Sequence, residues 1–169
     1  HKESDLFFNW YLVGILGKIK AKKYKNKIRP LLNKIYKKIY FKNTCFVHRD
    51  FHASNLMYFK KKIGVIDTQD AIIGNPAYDL ASLVDDVRIK IPISQKNKIV
   101  NFYLKNKQKD FNIKKNKFIR DFNILSIQRN LKILGIFYRL FKRDNKIKYL
   151  KFMPYTWKLI ELRLKSNNI

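Results

Sequence analysis

Between Cys45 and Asp67 the apolar residues fall into three short runs, Cys45-Phe46-Val47, Leu56-Met57-Tyr58-Phe59 and Ile63-Gly64-Val65-Ile66. The last two flank Lys60-Lys61-Lys62, and two short apolar runs around a charged turn argue a β-hairpin. A hairpin returns its far end to its start. Asp67, which follows the last run, is thereby expected beside Asn55, which precedes the second. The polar stretch His48-Arg49-Asp50-Phe51-His52-Ala53-Ser54-Asn55 is left as a loop between the first run and the hairpin.

The residue types in that loop suit phosphoryl transfer. His-Arg-Asp, four residues, Asn, and then an Asp on the next strand is the order of parts in a kinase catalytic loop. Such a site needs a carboxylate to accept the proton of the attacking hydroxyl, and Asp50 fits that role. It also needs oxygen ligands for Mg²⁺, a hard cation that takes a few carboxylate or amide oxygens along with phosphate oxygens. Asn55 and Asp67 fit that role. His48 suits packing and hydrogen bonding within the loop better than proton transfer. For His52, orienting Asp50, approaching a phosphate and plain structural support all stay open.

The departures from protein kinases narrow the reading. Asp67-Thr68-Gln69 stands where those enzymes have Asp-Phe-Gly, His52 stands where they usually carry Lys, and no Ala-Pro-Glu follows. The segment resembles the aminoglycoside phosphotransferase and choline kinase superfamily of small-molecule kinases, whose loop reads H-x-D-x-H-x-x-N. Asp67-Thr68-Gln69-Asp70-Ala71 with Gly74, Tyr78-Asp79-Leu80-Ala81-Ser82-Leu83, Gln128 to Phe137, and Arg143-Asp144 further resemble the bacterial N-acetylmuramate/N-acetylglucosamine anomeric kinases of cell-wall recycling. The resemblance runs from about Asp5 to about Pro154. It implies a Mg²⁺- and ATP-dependent phosphotransferase acting on a sugar hydroxyl. It also implies that Asp79 receives hydrogen bonds from the catalytic-loop backbone. Gln69 and Asp70 are close enough in sequence to line an acceptor pocket, or else to fix the loop. Gln128 and Arg129, a polar pair in an apolar helical stripe, are further candidates for the sugar. The alternatives are another small hydroxyl acceptor (an aminoglycoside, choline or homoserine) or a non-catalytic binding lobe.

Of the five glycines, none forms G-x-G, and no G-x-x-x-x-G-K-[ST] occurs. A phosphate-covering glycine loop and its Lys are therefore not in this sequence. The chain also begins at His1. The expectation is that residues 1–169 are the C-terminal lobe of a longer kinase whose N-terminal nucleotide lobe is absent, and that this lobe alone has little or no activity. The fold expected is mainly α with a short β-hairpin, a protein-kinase-like C-terminal lobe, or α+β with the N-terminal lobe included.

The 38 Lys and Arg against 12 Asp and Glu give a net charge of +26, which invites a nucleic-acid reading. The lysines are spread over nearly every segment beside abundant Asn and Ile, as AT-rich codons produce, and no nucleic-acid-binding motif stands out. No specific nucleic-acid partner is expected. No membrane partner is expected either, because no run of about eighteen apolar residues occurs. The first residues do not form a signal peptide, and the single cysteine, Cys45, suits a reducing cytoplasm and a core position. Six of the twelve acids are Asp50, Asp67, Asp70, Asp79, Asp85 and Asp86, and no Lys or Arg occurs from Ile63 to Val87. For Asp85 and Asp86 the plain reading is solvation of a helix end. The later acids, Asp110, Asp121, Asp144 and Glu161, are too few to make a cleft for a polycation, which favours a neutral or anionic acceptor.

Elsewhere the pattern is helical. Ser4 or Asp5 caps a helix to about Ile19, with Leu6, Phe7, Trp10, Tyr11 and Ile15 at helical spacing. Lys18 to Arg29 reads as a basic connector, and Pro30 as the N1 residue of a helix with Leu31, Leu32, Ile35, Tyr36 and Ile39 on its apolar stripe. Further helices are expected over 77–86, 94–106 and 115–141, where Gly135 is a possible interruption, and from Pro154 on. Tyr11, Phe122 and Tyr138 are expected in the core.

Overall fold

The structure, a computed structural model, describes residues 2–107 and 114–166, so His1 and Asp110 lie outside the described residues. It is mainly helical with two small antiparallel sheets. The chain divides into two compact units: residues up to Ile39 together with those from Ser126 onward, and residues Tyr40–Leu125.

The first unit opens with α1 (Lys2–Leu6), a π-helical turn (Phe7–Leu12) and α2 (Val13–Leu16). Gly17, with φ of 75°, breaks this rod, and α3 (Lys18–Tyr36) follows directly. The expected connector Lys18–Arg29 is therefore helix, and Pro30 lies inside α3 rather than at its start. Lys and Ala are good helix formers, and Ala21, Ile28, Leu32 and Tyr36 recur at helical spacing and pack on this unit's core, so the apolar stripe runs back from the expected helix into the lysine-rich segment. Leu31 and Ile15, both expected to point inward, are more than half exposed.

The core of this unit joins Phe7, Phe8 and Leu12 to Leu32, Ile127, Leu131, Leu134 and Ile160. The last four come from α6 (Lys115–Asp144), which belongs to this unit from Ser126 on, and from α7 (Met153–Leu164). Tyr11 stacks on Phe7 at 5.5 Å between ring centroids and accepts a hydrogen bond from Trp157 Nε1 at 2.8 Å. Gly135 does not interrupt α6. A Cβ there would stand 2.3 Å from the carbonyl carbon of Leu6 and 2.6 Å from the nitrogen of Phe7, so the glycine permits backbone-to-backbone packing where the π-helical turn begins.

In the second unit, β1 (Cys45–Val47) pairs antiparallel with β4 (Ile72–Gly74). The expected hairpin is present as β2 (Leu56–Phe59) and β3 (Lys62–Val65), in register from Leu56↔Val65 to Phe59↔Lys62. Its two-residue loop, Lys60-Lys61, has φ of 46° and 62°, the pattern of a type I′ turn. Tyr58 and Ile63 face each other across the hairpin and are 75% and 67% exposed. Met57 and Phe59, whose side chains alternate to the other face, are exposed as well.

Among the described residues this unit also holds, beside the first part of α6, the helices α4 (Tyr78–Val84) and α5 (Ile93–Lys107). Tyr103 of α5 stacks on Phe118 of α6 at 5.4 Å, and the fully buried Phe122 lies one turn further on. Asp121 of α6 has no exposed surface. Its carboxylate accepts the backbone N–H groups of Tyr40 and Phe41, each at 2.8 Å, and the Asn75 side-chain amide at 2.9 Å. It is spent on backbone and is not an acid on offer to an acceptor.

Candidate active site

The loop between β1 and β2 is shaped by hydrogen bonds that leave little choice of path. Arg49 has φ of 71°, a left-handed conformation unfavourable for a residue with a Cβ. Asp79, in the first turn of α4, holds that bend. Its Oδ2 accepts the N–H of His48 at 2.7 Å and its Oδ1 the N–H of Arg49 at 3.0 Å. The Ser82 hydroxyl reaches the Arg49 carbonyl at 3.5 Å.

Asp50 follows this bend and is half-buried. Its carbonyl accepts the N–H of His52 at 2.9 Å and the Asn55 side-chain amide at 3.0 Å. The Asn55 NH₂ group is thus committed to the loop, which leaves the side-chain oxygen available to a donor or a cation. The short 3₁₀ turn Ala53–Asn55 then leads into β2.

The hairpin carries the chain back as expected. The Ile66 N–H donates to the Asn55 carbonyl at 3.1 Å, one step beyond the β2–β3 ladder. His48 reinforces the closure. It is buried, and its Nε2 lies 2.9 Å from the Ile66 carbonyl, which can only accept, so Nε2 carries the proton. Asp67 is the next residue, exposed and itself left-handed with φ of 67°. The backbone of Asp67 is therefore adjacent to that of Asn55, and both flank the loop that bears Asp50. Among the described residues no group of three or more His, Cys, Asp or Glu side chains is placed to hold a metal ion, and the amide–carboxylate pair is a smaller set than that.

The other expected residues divide. His52 is buried at the start of the 3₁₀ turn. Gln69 and Asp70 are exposed, and the Asp70 carbonyl accepts the Arg49 guanidinium at 3.3 Å. An apolar cavity of about 780 Å³ is lined by Phe41, Cys45, Phe51, Leu80 and Phe102 among others, with Asp79 in its wall, and neither Gln69 nor Asp70 lines it. Cys45 is half-buried in that wall rather than in the core. Burial, with Cys45 and Asp79 nearby, pushes the Tyr103 hydroxyl up from its ordinary pKa. Gln128 and Arg129 belong to the first unit, where Gln128 donates to Glu3 at 3.2 Å and Arg129 is buried.

Asp85 and Asp86 do not solvate a helix end. Both are buried, at 0% and 1% exposure. Asp85 pairs with the equally buried Lys96 at 2.8 Å, and Asp86 pairs with Arg88 at 3.2 Å. Their signal in the sequence was the acid-rich stretch free of Lys and Arg, but an acid's burial is set by cations that arrive from α5 and from beyond the helix end.

Comparison with known proteins adds three observations. The sequence profile of the phosphotransferase enzyme family matches residues 17–111, more than half of the chain. A protein of Caulobacter vibrioides named N-acetylmuramate/N-acetylglucosamine kinase is 32% identical over 124 residues, 70% of this chain and 33% of the relative. Proteins of the same name from Neisseria meningitidis and Pseudomonas aeruginosa are 31% and 29% identical, over 90% and 95% of this chain and 47% and 48% of their own lengths. The chain thus spans between a third and a half of the length of these curated relatives.

Proposed function

The chain belongs to the phosphotransferase enzyme family, and we propose that it is the catalytic-loop-bearing C-terminal lobe of a small-molecule kinase that transfers the γ-phosphate of Mg-ATP to a sugar hydroxyl. The acceptor proposed is the anomeric hydroxyl of N-acetylmuramate or N-acetylglucosamine, in keeping with the names of the relatives. The observation that carries this reading is the closure of the hairpin. The Ile66-to-Asn55 bond sets Asn55 and Asp67 at one end of β2–β3, beside the loop of Asp50.

In this reading Asp50 accepts the proton of the attacking hydroxyl. Asn55 and Asp67 would hold Mg²⁺. Their fit is supported by hard oxygen donors, one an amide whose NH₂ is already engaged and the other an exposed carboxylate. The metal would neutralise charge on the transferring phosphates. His48, His52 and Asp79 shape the loop. Gln69 and Asp70, exposed after Asp67, are available to an acceptor. The nucleotide clamp would come from sequence outside this chain, so the 169 residues alone should turn over little ATP.

Kinetics on a protein that includes the upstream lobe test the assignment. Asp50→Asn keeps the side-chain size but cannot accept the proton. The expected result is a fall in kcat of about 100-fold or more with nucleotide affinity nearly intact. Asp67→Ala should weaken Mg-nucleotide binding as well. Near-normal turnover by Asp50→Asn would remove Asp50 from the base role. Phosphorylation of choline or an aminoglycoside but of neither amino sugar would overturn the acceptor while leaving the kinase.

A further inference from the structure

One acid stands in the first turn of α4 and another two residues beyond its end, and both reach the loop that bears Asp50. Asp79 takes the N–H groups of His48 and Arg49. Past the last turn, Asp86 Oδ2 accepts the N–H of Ala53 at 3.3 Å. Ala53 opens the 3₁₀ turn Ala53–Asn55, and the first N–H groups of a helical turn have no partner within it. Between the two anchorages lie only Asp50, Phe51 and His52.

Asp86 is itself fixed. Its Oδ1 accepts the backbone N–H of Arg88 at 3.0 Å and the Arg88 guanidinium at 3.2 Å. The preceding residue, Asp85, is locked to Lys96 of α5, whose ammonium also donates to the Val84 carbonyl at 2.6 Å. Two neighbouring carboxylates are thus taken fully out of water at the end of a seven-residue helix. Buried ion pairs are weak sources of net stability, and their best-attested use is to fix one arrangement against others. The arrangement fixed here is the second end of the loop.

We propose that Asp86 is a positioning residue that fixes the carboxylate of Asp50 by anchoring Ala53, with the Asp85–Lys96 pair holding Asp86 in place. The proposal rests on Asp50 being the proton acceptor. It extends the support of the loop from one acid to two, one in the first turn of α4 and one just past its last.

Two measurements test it. Amide exchange on the 169-residue chain reads the anchor directly and needs no activity. Asp86→Ala should speed exchange at Ala53 by about tenfold or more while amides near Leu134 in α6 keep their protection. Asp86→Asn keeps an acceptor oxygen and should give an intermediate change confined to the same place. If Asp86→Ala does not fold, Asp86→Asn decides alone. Unchanged exchange at Ala53, or equal acceleration throughout the chain, would overturn the anchor.

In a protein with kinase turnover, Asp86→Ala should lower kcat by about tenfold or more with KM for nucleotide and acceptor within about threefold, and Asp86→Asn should recover most of the loss. A loss carried by KM alone, or no rescue by Asn, would overturn the positioning role. Should the wild type phosphorylate no hydroxyl acceptor, the proposed function falls, and the exchange result then decides the anchor on its own.

Discussion

Asp121→Asn changes one atom in a place where three donors converge. The carboxylate offers two acceptor oxygens to the N–H groups of Tyr40 and Phe41 and to the Asn75 amide. It has no exposed surface, so water does not replace a lost partner. Asparagine keeps one oxygen and puts an NH₂ group in place of the other, which turns a donor toward donors. A buried donor left without its acceptor costs about 1–3 kcal/mol, and a bond to a charged acceptor is worth about 1.5–3 kcal/mol. Release of the buried charge offsets part of this, which leaves a net loss of about 3 kcal/mol. With a urea dependence of about 2–3 kcal/mol per molar, the midpoint should fall by about 1–1.5 M. The probe should be far-UV circular dichroism with amide exchange at Tyr40 and Phe41. Both tryptophans, Trp10 and Trp157, lie in the other unit and would not report this site. A midpoint shift below about 0.2 M, or unchanged protection at Tyr40 and Phe41, would refute the assignment of Asp121 as their buried acceptor.

Gly135→Ala should destabilise the first unit by about 2 kcal/mol or more, since the new methyl meets the Leu6–Phe7 backbone rather than a movable side chain; tryptophan fluorescence in urea reads it. Lys60→Asn with Lys61→Gly should stabilise the second unit by about 1 kcal/mol, read as a higher thermal midpoint by circular dichroism, because both loop residues now hold positive φ at a cost that Asn and Gly avoid. Burial holds the Tyr36 hydroxyl above its ordinary pKa of 10.0, against a smaller opposing hydrogen bond to Ser4. The unfolded chain therefore loses that proton first, and the stability Tyr36 contributes is full below pH 10 and is lost as pH rises through the folded value. Denaturation across about pH 9–11 should show a steeper loss for wild type than for Tyr36→Phe, and equal slopes would refute the effect.

Much of the candidate site's backbone geometry was legible because its parts are local. The spacing of Asn55, two apolar runs and Asp67 determines a hairpin whose closure needs no distant residue, and β2–β3 forms in that register. α6 and α7 follow from regular apolar stripes and from Pro154. What was not legible depends on partners far along the chain. Within Lys18–Arg29 the inward face is marked only by Ala21 and Ile28, two turns apart among lysines, and it shows as a stripe only once the core they pack on is in place. Strand β4 is only Ile72-Ile73-Gly74, and it is a strand because β1 lies beside it. Asp85 and Asp86 look like surface acids until Lys96 and Arg88 arrive.

The exposed hairpin gives the chain's charge a practical meaning. Each sheet has two strands among the described residues, and Phe46, Met57, Tyr58, Phe59, Ile63 and Ile73 are between 54% and 75% exposed around them. Unpaired strand edges with large apolar side chains invite copies of a chain to pair. A net charge of +26 opposes that by mutual repulsion. Repulsion among exposed charges reaches about 30 Å at 10 mM salt and only about 8 Å at 150 mM, whereas apolar association does not weaken as salt rises. In isolation, this chain should be colloidally protected in dilute buffer and lose that protection as salt rises, so ionic strength bears directly on how concentrated it can be kept without association.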